Sequence, residues 1–366
     1  MTWPRERFGL HGRGQHERDR RDRDSYRPDE QRGRGRGRRG EEFMVPRARP
    51  DSYYGKPIIK EPPWTAQDVA SYLFFGGLAG ASSVLAGFAH AAGHHELART
   101  SKVGAVGAIA LSGAALVHDL GRPERFLNML RVAKVTSPMS VGSWLLSGFG
   151  GASSVAAACA VTGRMPRTGA AATAAATALG PAICTYTAAL ICNTAVPAWH
   201  EAHREMPYLF AGSAASAAGG LAMLAVPAGQ AGQATRFAVL GAATELTAKS
   251  MLLRRLGETA EPYQTGRPGK LMEIAEVLTA AGLAGAVLSR EMRPGRSQRL
   301  TTAVSGAALV ASSALTRFGI FEAGRLSARD PKYTVGPQRE RLRQRAANGP
   351  RPDGGQRPPT HAKPAT

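Results

Sequence analysis

Asp68 and Tyr72 stand four residues apart, so on a helix a carboxylate and a phenol share one face. That pair suits a specific chemistry. A quinone headgroup needs a hydrogen-bond donor at each carbonyl and a route for two protons when it is reduced or oxidised, and Tyr with Asp supplies both. Tyr186, five residues after Pro181, and Trp199 extend the set, making Asp68, Tyr72, Tyr186 and Trp199 the candidate quinone-binding residues. His118, Asp119, Glu245 and Lys249 are the candidate proton-path residues. Each also has a plainer reading. Tyr and Trp gather at membrane interfaces without any ligand. Tyr186 could bond a backbone carbonyl freed by Pro181, and His118 could be a polar helix end. Glu245 and Lys249, four apart, could form a structural ion pair.

The elements that must hold these residues are membrane spans. A mean hydropathy of −0.21 averages polar ends with a middle rich in Ala, Gly, Leu and Val. That middle repeatedly supplies the roughly 20 apolar residues a bilayer-crossing helix needs. Eight spans are predicted, at about 67–92, 100–119, 139–162, 169–195, 206–227, 233–253, 270–289 and 299–320. The fold class is an all-α membrane protein of about eight transmembrane helices in a compact bundle. It is predicted as an eight-helix domain over 63–330 between disordered basic tails, 1–62 and 331–366. Small residues such as Gly76-Gly-Leu-Ala-Gly80 and Gly219-Gly220 let helices approach closely in lipid. Pro181 predicts a kink or local unwinding in span four. Span six is the least apolar, with Glu245 and Lys249 inside it.

The net charge of +20 lies largely in the tails. Residues 1–50 hold 15 Arg against 9 acids, and from Pro331 onward 8 Lys or Arg face 2 acids. Such segments cannot bury a core. The run Arg32-Gly-Arg-Gly-Arg-Gly-Arg-Arg39 lacks interleaved aromatics, so anionic lipid headgroups suit it better than nucleic acid. Cys159, Cys184 and Cys192 fall in apolar spans without metal-ligand spacing, which excludes an Fe–S cluster within this chain. Haem is also disfavoured, because His90 and His118 end successive spans and so face opposite sides. The N-terminal residues contain no apolar leader, so the first span is expected to act as the insertion signal.

Alternating spans collect unlike residues on the two faces. On the face where span one begins lie Asp68, Tyr72, His118, Asp119, Tyr186, Trp199, Glu273, Glu276 and Arg317. The other face carries His90, His94, His95 and Glu96, two Arg near 165, and an Arg cluster around 290–299. The first face therefore predicts both a small-molecule pocket and a docking surface. A transporter using Glu245, Lys249 and Pro181 is the competing class, as is a purely structural anchor.

Several strings carry a resemblance to a known family. They are Tyr72-Leu-Phe-Phe-Gly-Gly-Leu-Ala-Gly80, Asp119-Leu-Gly-Arg-Pro-Glu-Arg-Phe126, Thr136-Ser-Pro-Met-Ser-Val-Gly-Ser-Trp144, Tyr186-Thr-Ala-Ala-Leu with Pro197-Ala-Trp199, and Arg317-Phe-Gly-Ile-Phe-Glu-Ala-Gly324. In this order, across about 66–335, the chain resembles the NrfD/PsrC family, membrane subunits of polysulfide-reductase-like complex iron–sulfur molybdoenzymes. The resemblance implies an eight-helix anchor with no redox metal of its own. Its cofactor would be menaquinone or a related quinone. Its partners would be a ferredoxin-like four-cluster Fe–S subunit and a molybdopterin oxidoreductase subunit, in the cytoplasmic membrane. The family's quinone contacts fall here on Asp68, Tyr72 and Tyr186. Family members often carry His or Asn at the first two positions, where this chain has Asp and Tyr.

Overall fold

A computed structural model describes residues 58–122 and 124–348; the Arg-rich run and the two ends of the chain lie outside the described residues. Eight long helices form the body: α1 (Ala66–Ala91), α2 (His95–Leu120), α3 (Pro138–Thr162), α4 (Pro166–Cys192), α5 (Met206–Ala225), α6 (Gly232–Leu256), α7 (Gly266–Glu291) and α8 (Arg296–Arg329). A further helix, α9, covers Lys332–Asn348. Among the described residues, seven helices are long and apolar enough to cross a membrane, α6 being the long helix left out. Its 25 residues suffice in length, but Arg236, Glu245, Lys249, Arg254 and Arg255 lower its hydropathy. Glu245 and Lys249 are buried inside the bundle, where lipid does not meet them.

Local signals set the helix ends. Thr65 caps α1, its hydroxyl accepting from the Asp68 backbone N–H at 3.3 Å and donating to the Asp68 carboxylate at 2.6 Å. Gly121 ends α2 and Gly163 ends α3 in the left-handed conformation, with φ of 69° and 66°. Prolines open α3, α4 and α5 within their first two positions.

The helices pack as two similar halves. In the first, α1 lies against α2 and α4, and α3 against α2 and α4; in the second, α5 lies against α6 and α8, and α7 against α6 and α8. The halves meet mainly through α1, α4, α5 and α8. Each half has a glycine crossing at its centre. A Cβ on Gly80 would lie 2.6 Å from the Gly180 carbonyl oxygen, and one on Gly220 would lie 2.6 Å from that of Gly306. Backbones this close gain dispersion contact that larger side chains would prevent. The central helix α1 is buried along most of its length, whereas α2, α3 and α7 present most of their surface outward.

One expectation is narrowed and two are corrected. The helical assignment of α4 runs unbroken through Pro181, so of the kink or unwinding expected there no turn is unwound. The last span continues to Arg329, well past 320, which places Arg317 three turns inside the helix rather than at its end. Residues 332–348, expected to be disordered, form α9: their Arg, Gln, Leu and Ala are good helix formers, and ion pairs fix the helix. Arg341 meets Glu201 at 3.2 Å and Lys332 pairs with Glu261.

The two faces differ in build. Face A, where α1 begins, carries the short helices Glu124–Met129, Pro197–Glu201 and Glu261–Gln264 as well as α9. On face B the long helices are joined by tight connections such as Ala92–His94 and Gly163–Met165.

Candidate functional site

Near face A, a cavity of about 120 Å³ opens between the start of α1, the end of α2, the start of α3 and the end of α4. Its polar lining comes from Tyr72, Asp119, Ser143 and Tyr186; Trp64, Met129, Met139 and Leu190 are among its apolar walls. Tyr72 is buried in α1, and its hydroxyl is hydrogen-bonded to that of Tyr186 on α4. This phenol pair joins two helices 114 residues apart in the chain. The carbonyl of Tyr72 accepts from Ser112 Oγ at 3.1 Å, tying α1 to α2 at the same level.

Tyr186 needs room on α3, and Gly142 provides it. A Cβ at Gly142 would stand 2.5 Å from the Tyr186 hydroxyl oxygen, so the ring rests directly on bare helix backbone. The expected bond from Tyr186 to a carbonyl released by Pro181 is therefore replaced by the bond to Tyr72. The carbonyl left without its N–H donor by Pro181 is that of Thr177; Thr185 donates instead to Pro181's own carbonyl, at 2.9 Å.

Beside the cavity lies a carboxylate–imidazole pair. Asp68 Oδ1 is 2.8 Å from His118 Nδ1, and Thr65 holds the other carboxylate oxygen. His118 is 79% exposed at its side chain and Asp68 18%, so the pair leads from the first turn of α1 to solvent. Asp119, next along α2, faces the cavity. The structure thus gathers Asp68, Tyr72, His118, Asp119 and Tyr186 at one place.

It does not bring Trp199 or the α6 charges there. Trp199 is fully buried, donates from Nε1 to the Ile320 carbonyl at 2.8 Å, and packs against Phe321. Trp64 lines the cavity instead and stacks on Trp199 at 6.3 Å between ring centroids. Trp199, expected to contact the ligand, thus lies behind Trp64 and does not line the cavity. Glu245 and Lys249 do not pair either. Glu245 accepts from Thr316 at 2.9 Å and Ser216 at 3.4 Å, while Lys249 donates to Glu276 at 2.7 Å and to the Met272 carbonyl at 2.8 Å. The two share a helix face, but Glu245 borders α5 and α8 whereas the longer lysine reaches α7. Neither lines the cavity.

Sequence reasoning missed Trp64, Met129 and Gly142. Trp64 precedes the predicted first span, and Met129 lies in a connecting segment. Gly142 was inside a recognised string, but its role depends on which ring crosses it. Among the described residues, no group of three or more His, Cys, Asp or Glu is placed to hold a metal ion.

Outside the membrane, ion pairs brace face A. The Arg255 guanidinium bonds both oxygens of Glu205, at 2.5 and 2.6 Å, and holds that carboxyl below its ordinary range. Ahead of α1, Glu61 is gripped by Arg329 and Arg325 of α8, and its carboxyl is likewise lowered, mainly by the hydrogen bond from Arg329.

Eight long helices, seven of them apolar enough to cross a bilayer, with a largely apolar cavity carrying a few polar groups at one end of the first four, define a multi-pass membrane protein with a pocket. More specifically, the chain belongs to the polysulphide reductase NrfD family, whose model matches residues 61–255, from the segment before α1 to the end of α6. Membership makes it a membrane subunit of the redox-complex type. No curated protein matches the chain.

Proposed function

We propose that this chain is the quinone-interacting anchor of a multi-subunit oxidoreductase in the cytoplasmic membrane, exchanging electrons between a menaquinone-type quinone and an Fe–S partner subunit. The partner would be a ferredoxin-like four-cluster subunit that connects to a molybdopterin catalytic subunit docked on face A. The observation that carries the reading is the Tyr72–Tyr186 phenol pair lining a cavity at the membrane boundary, with Asp119 in the same wall.

The lining fits a quinone headgroup. Two phenols can turn their protons from one another toward a carbonyl oxygen, since each hydroxyl can donate or accept. Trp64, Met129 and Met139 give flat and adaptable apolar walls. When bound, the quinone supplies two-electron chemistry coupled to two protons. The protein's own residues then have distinct tasks. Tyr72 and Tyr186 orient the headgroup by hydrogen bonds, and Ser143 adds a further hydroxyl. Asp119 holds or releases a proton at its carboxylate facing the cavity. Asp68 and His118, bonded at 2.8 Å, carry protons between that region and water. Thr65 fixes the Asp68 carboxylate so that it stays aimed at the imidazole.

The test is Tyr72→Phe combined with Tyr186→Phe, measured in the assembled complex. We expect normal assembly and a fall of about 100-fold or more in quinol-coupled turnover, in the range seen when aligned proton donors are removed. Partner-subunit activity with an artificial soluble electron donor should be unchanged. Full quinol turnover in the double variant would sink the site assignment.

A further inference from the structure

A second and larger cavity, of about 360 Å³, lies on face B, at the other end of the first half from the phenols. It is formed by the end of α1, the first turns of α2, the end of α3 and the start of α4. His90, His95, Arg99, Lys102 and Arg164 line it, and Glu96 is the acid among them. Both α2 and α4 begin there, and neither N-cap residue, His94 or Met165, supplies a side-chain cap. Two helix N-termini with uncapped first-turn N–H groups add to the positive potential.

Lys102 distinguishes this place from an ordinary basic rim. It lies seven residues into α2, about 10 Å below the helix start, and is only 7% exposed. Among the described residues its ammonium has no hydrogen-bond or ion-pair partner, in contrast to Lys249, which has two. Helical side chains tilt toward the N-terminus and lysine stems extend along apolar surface, so Lys102 reaches up into the cavity it lines. The stem of Lys102 is enclosed while its unpartnered ammonium opens into the cavity, which leaves a positive charge there for an anion to meet. One carboxylate, Glu96, cannot neutralise Lys102, Arg99 and Arg164 together. Exposed Val103, Val155 and Val161 on α2 and α3 offer acyl chains a surface beside the cavity.

We propose that this cavity binds a phosphate-bearing anion, with Lys102 as the buried counter-charge and an anionic phospholipid headgroup as the source the bilayer provides. The site is separate from the phenolic cavity and independent of the quinone reading. Both uncapped helix starts and the two exposed arginines surround the phosphate, and Lys102 meets it from below.

The test uses the full chain, purified in mild detergent, stripped of lipid, and followed by thermal unfolding. Phosphatidylglycerol, phosphatidylcholine and inorganic phosphate are titrated separately into wild type, Lys102→Met and Lys102→Arg. We expect stabilisation by phosphatidylglycerol but not phosphatidylcholine. Its half-saturation should rise about tenfold or more in Lys102→Met and stay within about twofold in Lys102→Arg, tenfold being 1.4 kcal/mol. A response to inorganic phosphate that Lys102→Met loses supports the site and assigns the free ion as its source. Equal responses to the two lipids, or undiminished phosphatidylglycerol binding by Lys102→Met, overturn the proposal. Should Lys102→Met fail to fold, the exposed pair Arg99→Gln and Arg164→Gln must weaken the same response, and unchanged binding there overturns it too.

Discussion

The ring of Tyr186 reaches Tyr72 only because residue 142 has no side chain. Gly142→Ala would put a Cβ 2.5 Å from the Tyr186 hydroxyl, and the ring must swing or α3 must withdraw. The expected outcome is a protein that inserts normally but loses about tenfold or more in quinol turnover, a displaced catalytic contact being worth at least that much. Gly148→Ala on the same helix, whose nearest neighbour would be a Leu179 methyl at 4.0 Å, should leave turnover unchanged. At this scale the sequence was partly legible. Tyr72 and Asp68 announce themselves by spacing, and Tyr186 by its place on a proline-bearing span. Trp64 and Gly142 carry no such signal, because their importance comes from what lies across the helix gap. Trp199 misled for the converse reason: a tryptophan near a helix end looks alike whether it meets headgroups or fills a core.

Among the elements, α6 and α8 hold the least expected arrangement. Arg317 is 1% exposed, lies 3.8 Å over the Phe210 ring and donates from Nη2 to the Phe210 carbonyl at 2.8 Å. Its Nε and Nη1 have no hydrogen-bond partner among the described residues, and the nearby Glu245 is bonded by the adjacent Thr316. Glu245 on α6 and Arg317 on α8 attract each other across the helix interface without a hydrogen bond or ion-pair contact between them among the described residues. Glu245→Gln and Arg317→Met should each lower stability by about 1–2 kcal/mol, since each removes hydrogen bonds or packing and leaves the other charge without its attraction. The double variant should cost clearly less than the sum of the two, since no isolated charge is left behind. Denaturation of the three variants in detergent gives the coupling; strict additivity would show that the residues act independently. Sequence showed that α6 carries charge at depth but left the partners of Glu245 and Lys249 open. Four-residue spacing fixes a shared helix face, yet the partner is chosen by whichever helix packs there, which the spacing does not encode. The length of α8 escaped for a related reason: its last turns hold Arg325 and Arg329, which read as a loop until Glu61 is seen between them.

For the whole molecule, that Glu61 contact fastens the segment before the first helix to the end of the last membrane helix. The Glu61 carboxyl is depressed in the folded protein, chiefly by the hydrogen bond from Arg329 and then by Arg325. A depressed carboxyl stabilises the fold above its unfolded value and loses that contribution as pH falls through its folded value. Wild type should therefore be more stable than Glu61→Gln by a constant margin from about pH 6 upward, and the margin should close below about pH 4. Thermal unfolding of both proteins across pH 3.5–7 measures it, and a margin independent of pH would refute the clamp. The general architecture was the most legible level, because bilayer thickness dictates span length wherever apolar runs occur. The division into two similar halves was hidden, since it rests on which helices touch.

The burial of α1 bears on how the protein is made. The earliest-made of the described spans ends as the most enclosed of them, with α4, α5 and α8 around it. From Ala91 to Arg329, synthesis at roughly 5–20 residues per second takes about 10–50 s. During that interval the helix sits in lipid or against the insertion machinery, with Ser82, Ser83 and Tyr72 not yet enclosed by their final neighbours. A chain interrupted before α4 would leave the Tyr72 hydroxyl without Tyr186 and the Ser83 hydroxyl without the Ala176 carbonyl. The order of the described helices thus leaves α1 waiting longest in the membrane before its last neighbour, α8, arrives.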